Sequence, residues 1–240
     1  MLNTMFNSTK PLIICLPFAG SGASFFVPWQ NLTDKVDIHP VQLPGREKRF
    51  MDSPFTDCHE AANGILEELQ HSLSKERELI VFGHSLGAVL AFETAKRLEQ
   101  SGFNVCRLIV SGSPDPWNQR STRASDLECD DEFVEQVIKF SEFTHPALED
   151  EMMKELLIPV LRADVTMHEN YTPKSDLPAE FPIAALRGKQ DLLVSDEQIR
   201  LWSKATKSEF QQKEFSGSHM YFVDNPKPLV DFFEDVSRPQ

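Results

Sequence analysis

Residues 79–98 have the sequence LIVFGHSLGAVLAFETAKRL. The stretch opens with four continuous apolar residues, which predict a buried strand, and closes with apolar residues at helical spacing. Between them lies Gly83-His84-Ser85-Leu86-Gly87, whose two flanking glycines permit a tight, strained turn that exposes the serine hydroxyl. A glycine-x-serine-x-glycine pattern alone arises by chance in many proteins. Its place between a predicted strand and a predicted helix makes Ser85 a specific candidate for a catalytic nucleophile.

The rest of the chain continues this alternation of strands and helices. Short apolar runs predict strands at residues 12–16, 105–110 and 183–186, and residues 36–43 and 210–215 are further candidate strands. Helical spacing of apolar residues predicts helices at about 57–74 and about 228–236, and Gly102 is placed to end the helix of the quoted stretch. Strands separated by helices predict an α/β fold with a mainly parallel central sheet and helices on both faces.

The segment between Pro114 and Pro182 departs from this pattern. It is polar and predicts helices at 131–140 and 149–161, without a convincing buried strand. It is also far longer than a usual crossover between two strands. We therefore predict one domain over residues 1–240, with a helical lid inserted at about 115–180. Ordinary crossover helices are the alternative.

A nucleophilic serine needs a histidine base within hydrogen-bond reach and a carboxylate that holds the tautomer of that base. His219 lies in a loop of small residues between a predicted strand and the last helix. Asp191 follows another predicted strand, in a loop where the catalytic groups of open α/β sheets cluster. We predict a triad of Ser85, Asp191 and His219, in that chain order. Asp115, one strand earlier, is the alternative carboxylate, although its Pro-Asp-Pro context favours a turn residue.

Two backbone N–H groups are candidates for stabilising the oxyanion that forms when the serine attacks a carbonyl. The helix after Ser85 points its N-terminus at the serine, so the N–H of Leu86 would face the developing charge. The loop after the first strand, Phe18-Ala19-Gly20, offers a second donor, for which we choose the N–H of Ala19. A simple turn is the alternative for this loop. His84 adjoins the nucleophile but should point elsewhere in a tight turn, which favours a packing role.

The composition argues against several classes of partner. Of the 240 residues, 40% are hydrophobic and 25% are charged, and the formal net charge is −13. That charge repels the phosphates of nucleic acid and anionic membrane surfaces at long range. The first ten residues lack the pattern of a signal peptide, and no stretch approaches the roughly 20 apolar residues of a membrane span. We expect a cytoplasmic protein whose partner is neither a nucleic acid nor a membrane.

The cysteines give no sign of a metal or redox site. Cys15, Cys58, Cys106 and Cys129 are widely scattered, and no two of them form a Cys-x-x-Cys pair or lie at metal-ligand spacing from a histidine. We expect reduced structural thiols, with Cys15 and Cys106 in or beside buried strands. No metal and no cofactor is expected.

Five segments together carry a resemblance to a known family. They are LPFAG at 16–20, QLPGRE at 42–47, GHSLG at 83–87, LRAD at 161–164 and GSH at 217–219. The chain resembles the type II thioesterases that accompany modular nonribosomal peptide and polyketide synthases, which have the α/β-hydrolase fold. The serine turn and the terminal histidine occur across all α/β hydrolases, whereas the PGRE and LRAD segments point to this branch. The resemblance spans nearly the whole chain.

This resemblance implies a substrate and a partner. The substrate would be an acyl group held as a thioester on the phosphopantetheine arm of an acyl carrier protein or a peptidyl carrier protein. Hydrolysis through a Ser-His-Asp acyl-enzyme would clear carriers that are stalled or wrongly loaded. The enzyme is expected to act as a monomer, in pathways such as antibiotic biosynthesis and other secondary metabolism.

Two polar clusters lie outside the predicted triad. Arg46-Glu47-Lys48-Arg49 is the densest basic cluster near a predicted strand end and is a candidate docking patch for a carrier, although a solvated loop is the preferred interpretation. Arg162, Asp164, His168 and Glu169 lie at helical spacings and could form one polar face. A structural network between lid and core is preferred there over direct catalysis.

Two other functions are compatible with the same residues. An esterase, lipase or acyltransferase would use the same triad, because the fold specifies neither the acceptor nor the leaving group. A hydrolase-fold binding module without activity is the second alternative. The presence of all three triad residues in their expected order argues against it.

Overall fold

The computed structural model describes residues 8–118, 123–141, 143, 148 and 150–238. The strands in these residues are β1 Leu12–Leu16, β2 Asp37–Pro40, β3 Leu79–His84, β4 Val105–Ser111, β5 Ile183–Gly188 and β6 Phe210–Phe215. They form one sheet in the order β2-β1-β3-β4-β5-β6, and each neighbouring pair is parallel. The predicted parallel sheet is confirmed.

Six α-helices accompany the sheet in the described part of the chain. They are α1 Cys58–Gln70, α2 Leu86–Gln100, α3 Asp130–Ser141, α4 Glu151–Glu169, α5 Asp196–Arg200 and α6 Lys227–Val236. Gly102 follows the end of α2 with a φ of +80°, a conformation that suits glycine and ends the helix as predicted.

Alternating side chains along each strand build an apolar core on both faces of the sheet. In β1, Leu12 and Ile14 pack in a cluster with residues of α1 and α2, whereas Ile13 and Cys15 pack in a second cluster with residues of α6. All four side chains are fully buried. Since successive residues of a strand point to opposite faces, helices on both faces are needed to cover them. The predicted placement of the helices is confirmed.

The strand order determines where the site lies. β1 has β2 on one side and β3 on the other, so the chain winds in opposite directions from this point. A crevice opens beyond the carboxyl ends of the strands at such a reversal, and ligands of open α/β sheets bind there. Ser85 follows β3 and Ala19 lies in the loop after β1. Both predicted site residues therefore lie at this crevice.

Several predicted elements differ from the observed ones in length, and two of these differences have a physical reason in the structure. β2 ends at Pro40 rather than at residue 43, although Val41 and Leu43 beyond it are buried in the core. Their apolar character thus reflects burial in a loop and not strand pairing. α4 continues to Glu169 rather than ending at residue 161, because its polar residues beyond that point are bonded to other segments of the protein.

Helices α3 and α4 come from the segment between β4 and β5 and share a small apolar core. Phe133 of α3 packs in one cluster with Ile158 and Leu161 of α4, and it is fully buried. The guanidinium carbon of Arg162 lies 4.3 Å from the centre of the Phe133 ring, which adds a cation–π contact. The two helices therefore pack together as a pair.

The cysteines and the helices carry no sign of a metal or membrane site in the part of the chain that the structure describes. The four cysteines are free thiols, and burial raises the pKa of Cys106 to about 11, which keeps it protonated. No group of three or more metal-ligating side chains comes together among the described residues. Nor is any described helix both long and apolar enough to cross a bilayer.

Replacing a buried phenylalanine should cost far more stability than replacing an exposed one. Phe82 is fully buried, with ring centres of Phe233 and Trp29 at 5.0 and 6.0 Å, whereas Phe50 is 68% exposed. Phe82→Ala is expected to lower the free energy of unfolding by about 3–5 kcal/mol, because it removes apolar contacts and leaves a cavity. The control Phe50→Ala should change it by less than about 0.5 kcal/mol. Urea denaturation measures both, and equal losses would contradict the described core.

Candidate active site

Ser85 lies in the tight turn that the sequence predicts. It separates the end of β3 from the start of α2 and has a φ of 54° and a ψ of −117°, a conformation that costs a non-glycine residue about 1–3 kcal/mol. A Cβ at Gly83 would lie 1.8 Å from the carbonyl oxygen of Gly87, so position 83 accepts no larger residue. The Ser85 N–H donates to the carbonyl oxygen of Ser111 at 2.8 Å, which ties the turn to β4.

His219 and Asp191 come from loops after the last two strands and meet beside this turn. The carboxylate oxygen Oδ2 of Asp191 lies 2.9 Å from Nδ1 of His219, and both side chains are almost fully buried. The loops approach closely because β5 ends in a glycine: a Cβ at Gly188 would lie 2.0 Å from the carbonyl oxygen of Ser218. The structure thus brings the two predicted residues into direct contact. Ser85 and His219 line the same pocket.

The Asp191 carboxylate is held in its ionised form. Burial would raise its pKa, but the hydrogen bond to His219 and the N–H groups of Leu193 and Val194 together lower the pKa below its usual range. Those two N–H groups donate to Oδ1 at 2.8 and 3.1 Å. With Oδ1 satisfied by the backbone, Oδ2 is directed to the histidine. The arrangement favours the tautomer with the proton on Nδ1, which leaves Nε2 free to accept a proton.

Asp115, the alternative carboxylate, belongs to a turn. Its Oδ1 accepts the N–H of Trp117 at 3.2 Å, and its carbonyl accepts the N–H of Asn118 at 3.1 Å. Burial raises the pKa of the Asp115 carboxyl group. The contacts of Asp191, by contrast, lower the pKa of the Asp191 carboxyl group. The interpretation of Asp115 as a turn residue fits this geometry.

The two predicted oxyanion donors lie on neighbouring segments of the fold. Leu86 is the first residue of α2, and Ala19 lies in the loop after β1. The helix approaches that loop at Gly87, where a Cβ would lie 2.6 Å from the carbonyl oxygen of Leu16. Ala19 lines the pocket together with Ser85. The glycine therefore lets the positive end of the α2 dipole lie beside the loop.

The pocket itself is largely apolar and has a volume of about 270 Å³. Its floor is formed by the serine turn, the Ala19 loop and His219. It is also lined by apolar side chains from α3, α4 and the chain between them: Val137, Ile138, Phe140, Phe143, Leu148, Leu157, Leu161 and Val165. An apolar cavity of this kind next to a serine and a histidine suits the hydrocarbon part of an acyl group.

His84, predicted as a packing residue, lies directly against His219. The centres of the two rings are 4.6 Å apart, and a Cβ at Gly112 would lie 2.3 Å from Cε1 of His84. Nδ1 of His84 lies 3.0 Å from the hydroxyl oxygen of Ser111, which in turn lies 3.0 Å from the hydroxyl oxygen of Tyr221. Residue order alone could not reveal this contact, because the two histidines are far apart in the sequence.

The environment of His84 keeps its imidazole neutral. The side chain is fully buried, and Nε2 has no hydrogen-bond partner among the described residues. Burial, followed by the nearby His219, lowers the pKa of His84 well below its usual range. A neutral ring next to His219 adds no second positive charge to the site when an imidazolium forms there.

Comparison with known proteins supports the chemistry that this pocket suggests. A sequence model of the thioesterase-domain family matches residues 11–236. The chain belongs to the thioesterase family. Members of this family hydrolyse thioesters, so the prediction of a hydrolase that acts on thioesters is confirmed.

Individual relatives of this thioesterase match it over nearly its whole length. The gramicidin S biosynthesis protein GrsT of Aneurinibacillus migulanus is 32% identical over 234 residues, which cover 96% of this chain and 91% of that protein. The type II thioesterase BorB from the borrelidin cluster has a TM-score of 0.87 and 32% identity, covering 97% of this chain and 94% of that one. The type II thioesterase YbtT from the yersiniabactin pathway has a TM-score of 0.82 and 30% identity, with coverages of 95% and 92%. The resemblance to the type II thioesterases and the α/β-hydrolase fold are confirmed.

Both family-specific segments of this thioesterase lie differently from the sequence-based expectation. Arg46 was expected in a solvated loop, which is wrong: it is only 6% exposed and forms a bidentate ion pair with Asp164. The reason is a partner 118 residues away, which no local pattern reveals. Lys48 and Arg49, by contrast, are exposed or half-buried.

The four polar residues of α4 do not form one face. Asp164 points to the loops beyond β1 and β2, where it bonds to Gly20 and Arg46. Arg162 points to the start of α3 and bonds to Asp130, and Glu169 bonds to Ser125. The expectation of a single polar face is therefore wrong, because the helical repeat places Arg162 and Asp164 about 200° apart. At Asp164 the helix is nevertheless bonded to the loops after β1 and β2, which fits the preferred interpretation of a structural network.

Replacing each of the two candidate carboxylates should distinguish their roles. Asp191→Asn is expected to lower kcat by about 10³- to 10⁴-fold, because an amide can no longer hold the His219 tautomer. Asp115→Asn, the matched control, should leave kcat close to that of the wild type. The measurement is thioester hydrolysis at saturating substrate, with thermal unfolding to verify that both variants are folded. The assignment is wrong if Asp115→Asn is the damaging change.

On the acid side of the pH profile, the loss of activity should follow the uptake of a single proton. Because His84 stays neutral, it should add no second proton to the acid limb of the profile, so log kcat/KM should fall there with a slope of about one. His84→Gln should leave that slope unchanged. A slope of two in the wild type, reduced to one in the variant, would mean that His84 also becomes charged.

Proposed function

We propose that this thioesterase releases acyl groups from the phosphopantetheine arm of carrier proteins, using Ser85 as nucleophile, His219 as base and Asp191 as the orienting carboxylate. The single observation that carries the proposal is the contact of 2.9 Å between Asp191 and His219, which lines the pocket that also holds Ser85. Neither residue is near the serine in the sequence, and both are at the carboxyl edge of the sheet. That convergence is what a Ser-His-Asp hydrolase requires.

The first half of the reaction forms an acyl-enzyme. The hydroxyl oxygen of Ser85 attacks the thioester carbonyl while Nε2 of His219 takes the hydroxyl proton. The carbonyl oxygen becomes an oxyanion, for which the N–H groups of Ala19 and Leu86 are the donors in this proposal. The carbon–sulfur bond then breaks, and His219 returns the proton to the departing thiolate of the phosphopantetheine arm.

The second half regenerates the enzyme with water. His219 removes a proton from a water molecule, whose oxygen attacks the acyl-serine carbonyl. A second oxyanion forms at the same two N–H groups. Its collapse breaks the bond to the serine oxygen, and His219 delivers the proton to Ser85. The products are a carboxylic acid and the free carrier thiol, so atoms and charge balance.

The apolar lining of the pocket favours an acyl group that carries few polar substituents. Eight apolar side chains from α3, α4 and the chain between them line the pocket, which has a volume of about 270 Å³ and also holds the serine. A pocket of this kind discriminates weakly, because one methylene in an apolar site is worth only about 1–3 kcal/mol. Broad acceptance of short and medium acyl groups suits an enzyme that removes varied mistakes.

The partner and the pathway are inferred from the relatives. GrsT is named as a gramicidin S biosynthesis protein, and YbtT as a type II thioesterase of a yersiniabactin pathway of nonribosomal peptide and polyketide synthases. Synthases of both kinds carry their intermediates on phosphopantetheine thioesters. We therefore propose an acyl or peptidyl carrier protein as the partner and an editing role in such a pathway. The monomeric state and the cytoplasmic location stay predictions.

We further propose that residues 115–180 act as a lid within a single domain over residues 1–240. The described helices α3 and α4 of this segment contribute apolar side chains to the pocket that also holds the serine. The outer surface of α4 exposes Met152 and Leu156 by 76% and 69%. Apolar side chains there are available for contact with a carrier, although the chain as a whole is acidic.

The proposed substrate can be tested by comparing the same series of acyl groups on a carrier protein and on coenzyme A. Acetyl, aminoacyl and longer acyl groups on a carrier protein should be hydrolysed with a higher kcat/KM than the same groups on coenzyme A, because contacts to the carrier supply binding energy that the small thioester lacks. Each tenfold preference corresponds to about 1.4 kcal/mol. Release of free carrier thiol measures the rate.

The serine variant and an ester substrate complete this experiment. Ser85→Ala should lower the rate to near background while the protein stays folded, since only binding and oxyanion stabilisation remain. Undiminished hydrolysis by this variant would overturn the triad. Equal or faster turnover of coenzyme A thioesters across the series would overturn carrier recognition, and faster hydrolysis of simple esters would favour an esterase.

A further inference from the structure

The buried carboxylate of Asp164 joins helix α4 to the loop that carries Ala19. Its side chain has no exposed surface, and its Oδ2 accepts the N–H of Gly20 at 2.8 Å. The same oxygen accepts Nη1 of Arg46 at 2.6 Å, and Oδ1 accepts Nη2 at 2.8 Å. Three segments that are remote in the sequence thus meet at one side chain: α4, the loop after β1 and the turn after β2.

Arg46 holds the same loop at a second point. Besides its two bonds to Asp164, Nη1 donates to the carbonyl oxygen of Ser21 at 3.0 Å. The turn that carries Arg46 has positive φ on both sides, 83° at Gly45 and 50° at Glu47. Glu47 in turn accepts the N–H of Ser24 at 3.2 Å. A strained turn therefore presents two consecutive side chains to the loop after β1.

Two of the backbone N–H groups in this loop are hydrogen-bonded to acceptors within the protein. The N–H of Ser21 donates to the carbonyl of Phe18 at 3.0 Å and closes the turn, and the N–H of Gly20 is taken by Asp164. The N–H of Ala19 lies in the same turn and hydrogen-bonds to no acceptor of the described residues. Gly20 has a φ of +76°, and a glycine is free to leave that conformation when nothing holds it. The contact with Asp164 removes that freedom.

The cost of burying the pair argues for a role beyond stability. Taking a guanidinium and a carboxylate out of water costs several kcal/mol per ion, and apolar residues of similar volume are often at least as stabilising. A buried ion pair with directional bonds does, however, define positions more strictly than apolar contacts do. Here the bonds converge on the N–H of Gly20 and the carbonyl oxygen of Ser21, within two residues of the proposed oxyanion donor.

We infer that Asp164 and Arg46 are positioning residues for the oxyanion hole: they hold the Phe18–Ser21 loop so that the Ala19 N–H faces the reacting carbonyl. The inference rests on the proposed function, since it assigns the loop its role in that reaction. Neither side chain touches the substrate, so their effect is exerted through the backbone of the loop.

Asp164→Asn tests this role. An amide has one oxygen for the donors of both Gly20 and Arg46, and its NH₂ group faces them as a donor. With the loop less well held, kcat should fall about 10- to 100-fold while KM changes less than about threefold, because the lost contact acts on the transition state. An alkyl boronic acid, which forms a tetrahedral adduct with the serine, should bind more weakly by the same factor. Arg46→Lys keeps the charge without the bidentate geometry and should show the same pattern, even if Asp164→Asn does not fold.

The buried ion pair between Asp37 and Arg77 provides the matched control. It is similarly buried but lies at the start of β2 and before β3, at the edge of the sheet opposite the pocket. Asp37→Asn should lower the unfolding temperature and leave kcat and the boronic acid affinity unchanged in assays well below that temperature. Equal losses of kcat in Asp37→Asn and Asp164→Asn would overturn the inference, because the effect would then be general loosening.

The outcome with Ser85→Ala separates this inference from the function on which it rests. If Ser85→Ala is inactive while Asp164→Asn and Arg46→Lys keep the wild-type kcat and boronic acid affinity, the positioning role is wrong and the proposed function stands. If Ser85→Ala remains active, the proposed function itself is wrong. A fall in kcat without a matching loss of affinity for the boronic acid would also overturn the positioning role.

Discussion

The turn between β3 and α2 is the constraint on which the site depends. It holds Ser85 at a φ of 54°, and it forms only because Gly83 and Gly87 have no side chains where the backbone folds back on itself. The same glycine at 87 lets the start of α2 approach the carbonyl oxygens at the end of β1. One tight turn thereby places a serine hydroxyl, a helix N-terminus and a neighbouring loop at the point where the strand order reverses.

Close approaches at two further glycines bring the basic and acidic groups to that turn. Gly188 admits the loop of His219 against the end of β5, and Gly112 admits the His84 ring against that of His219. The resulting electrostatics are complementary: Asp191 is ionised by its hydrogen bonds, and His84 is neutral because it is buried. The anionic Asp191 therefore lies next to the His219 imidazole, and the neutral His84 ring adds no positive charge beside it.

Helix α4 belongs to the active site in two ways. Leu161 and Val165 form part of the apolar lining of the pocket that holds the serine. Asp164, on the same stretch of helix, accepts a hydrogen bond from the loop after β1. The helix that shapes the acyl pocket is thus bonded to the loop that carries a proposed oxyanion donor. In the proposed mechanism, substrate binding and charge stabilisation would therefore depend on one structural element.

The sequence by itself determined the alternation of strands and helices, the serine turn and the order of the candidate triad. These features are local, because side-chain periodicity and the demand for glycine at a tight turn are set by neighbouring residues. Only the tertiary structure decided that Asp191 rather than Asp115 contacts His219, that His84 packs on that ring, and that Arg46 is buried against Asp164. Local patterns assign a charged residue in a loop to solvent, whereas its burial depends on a partner that the fold delivers from a distant segment.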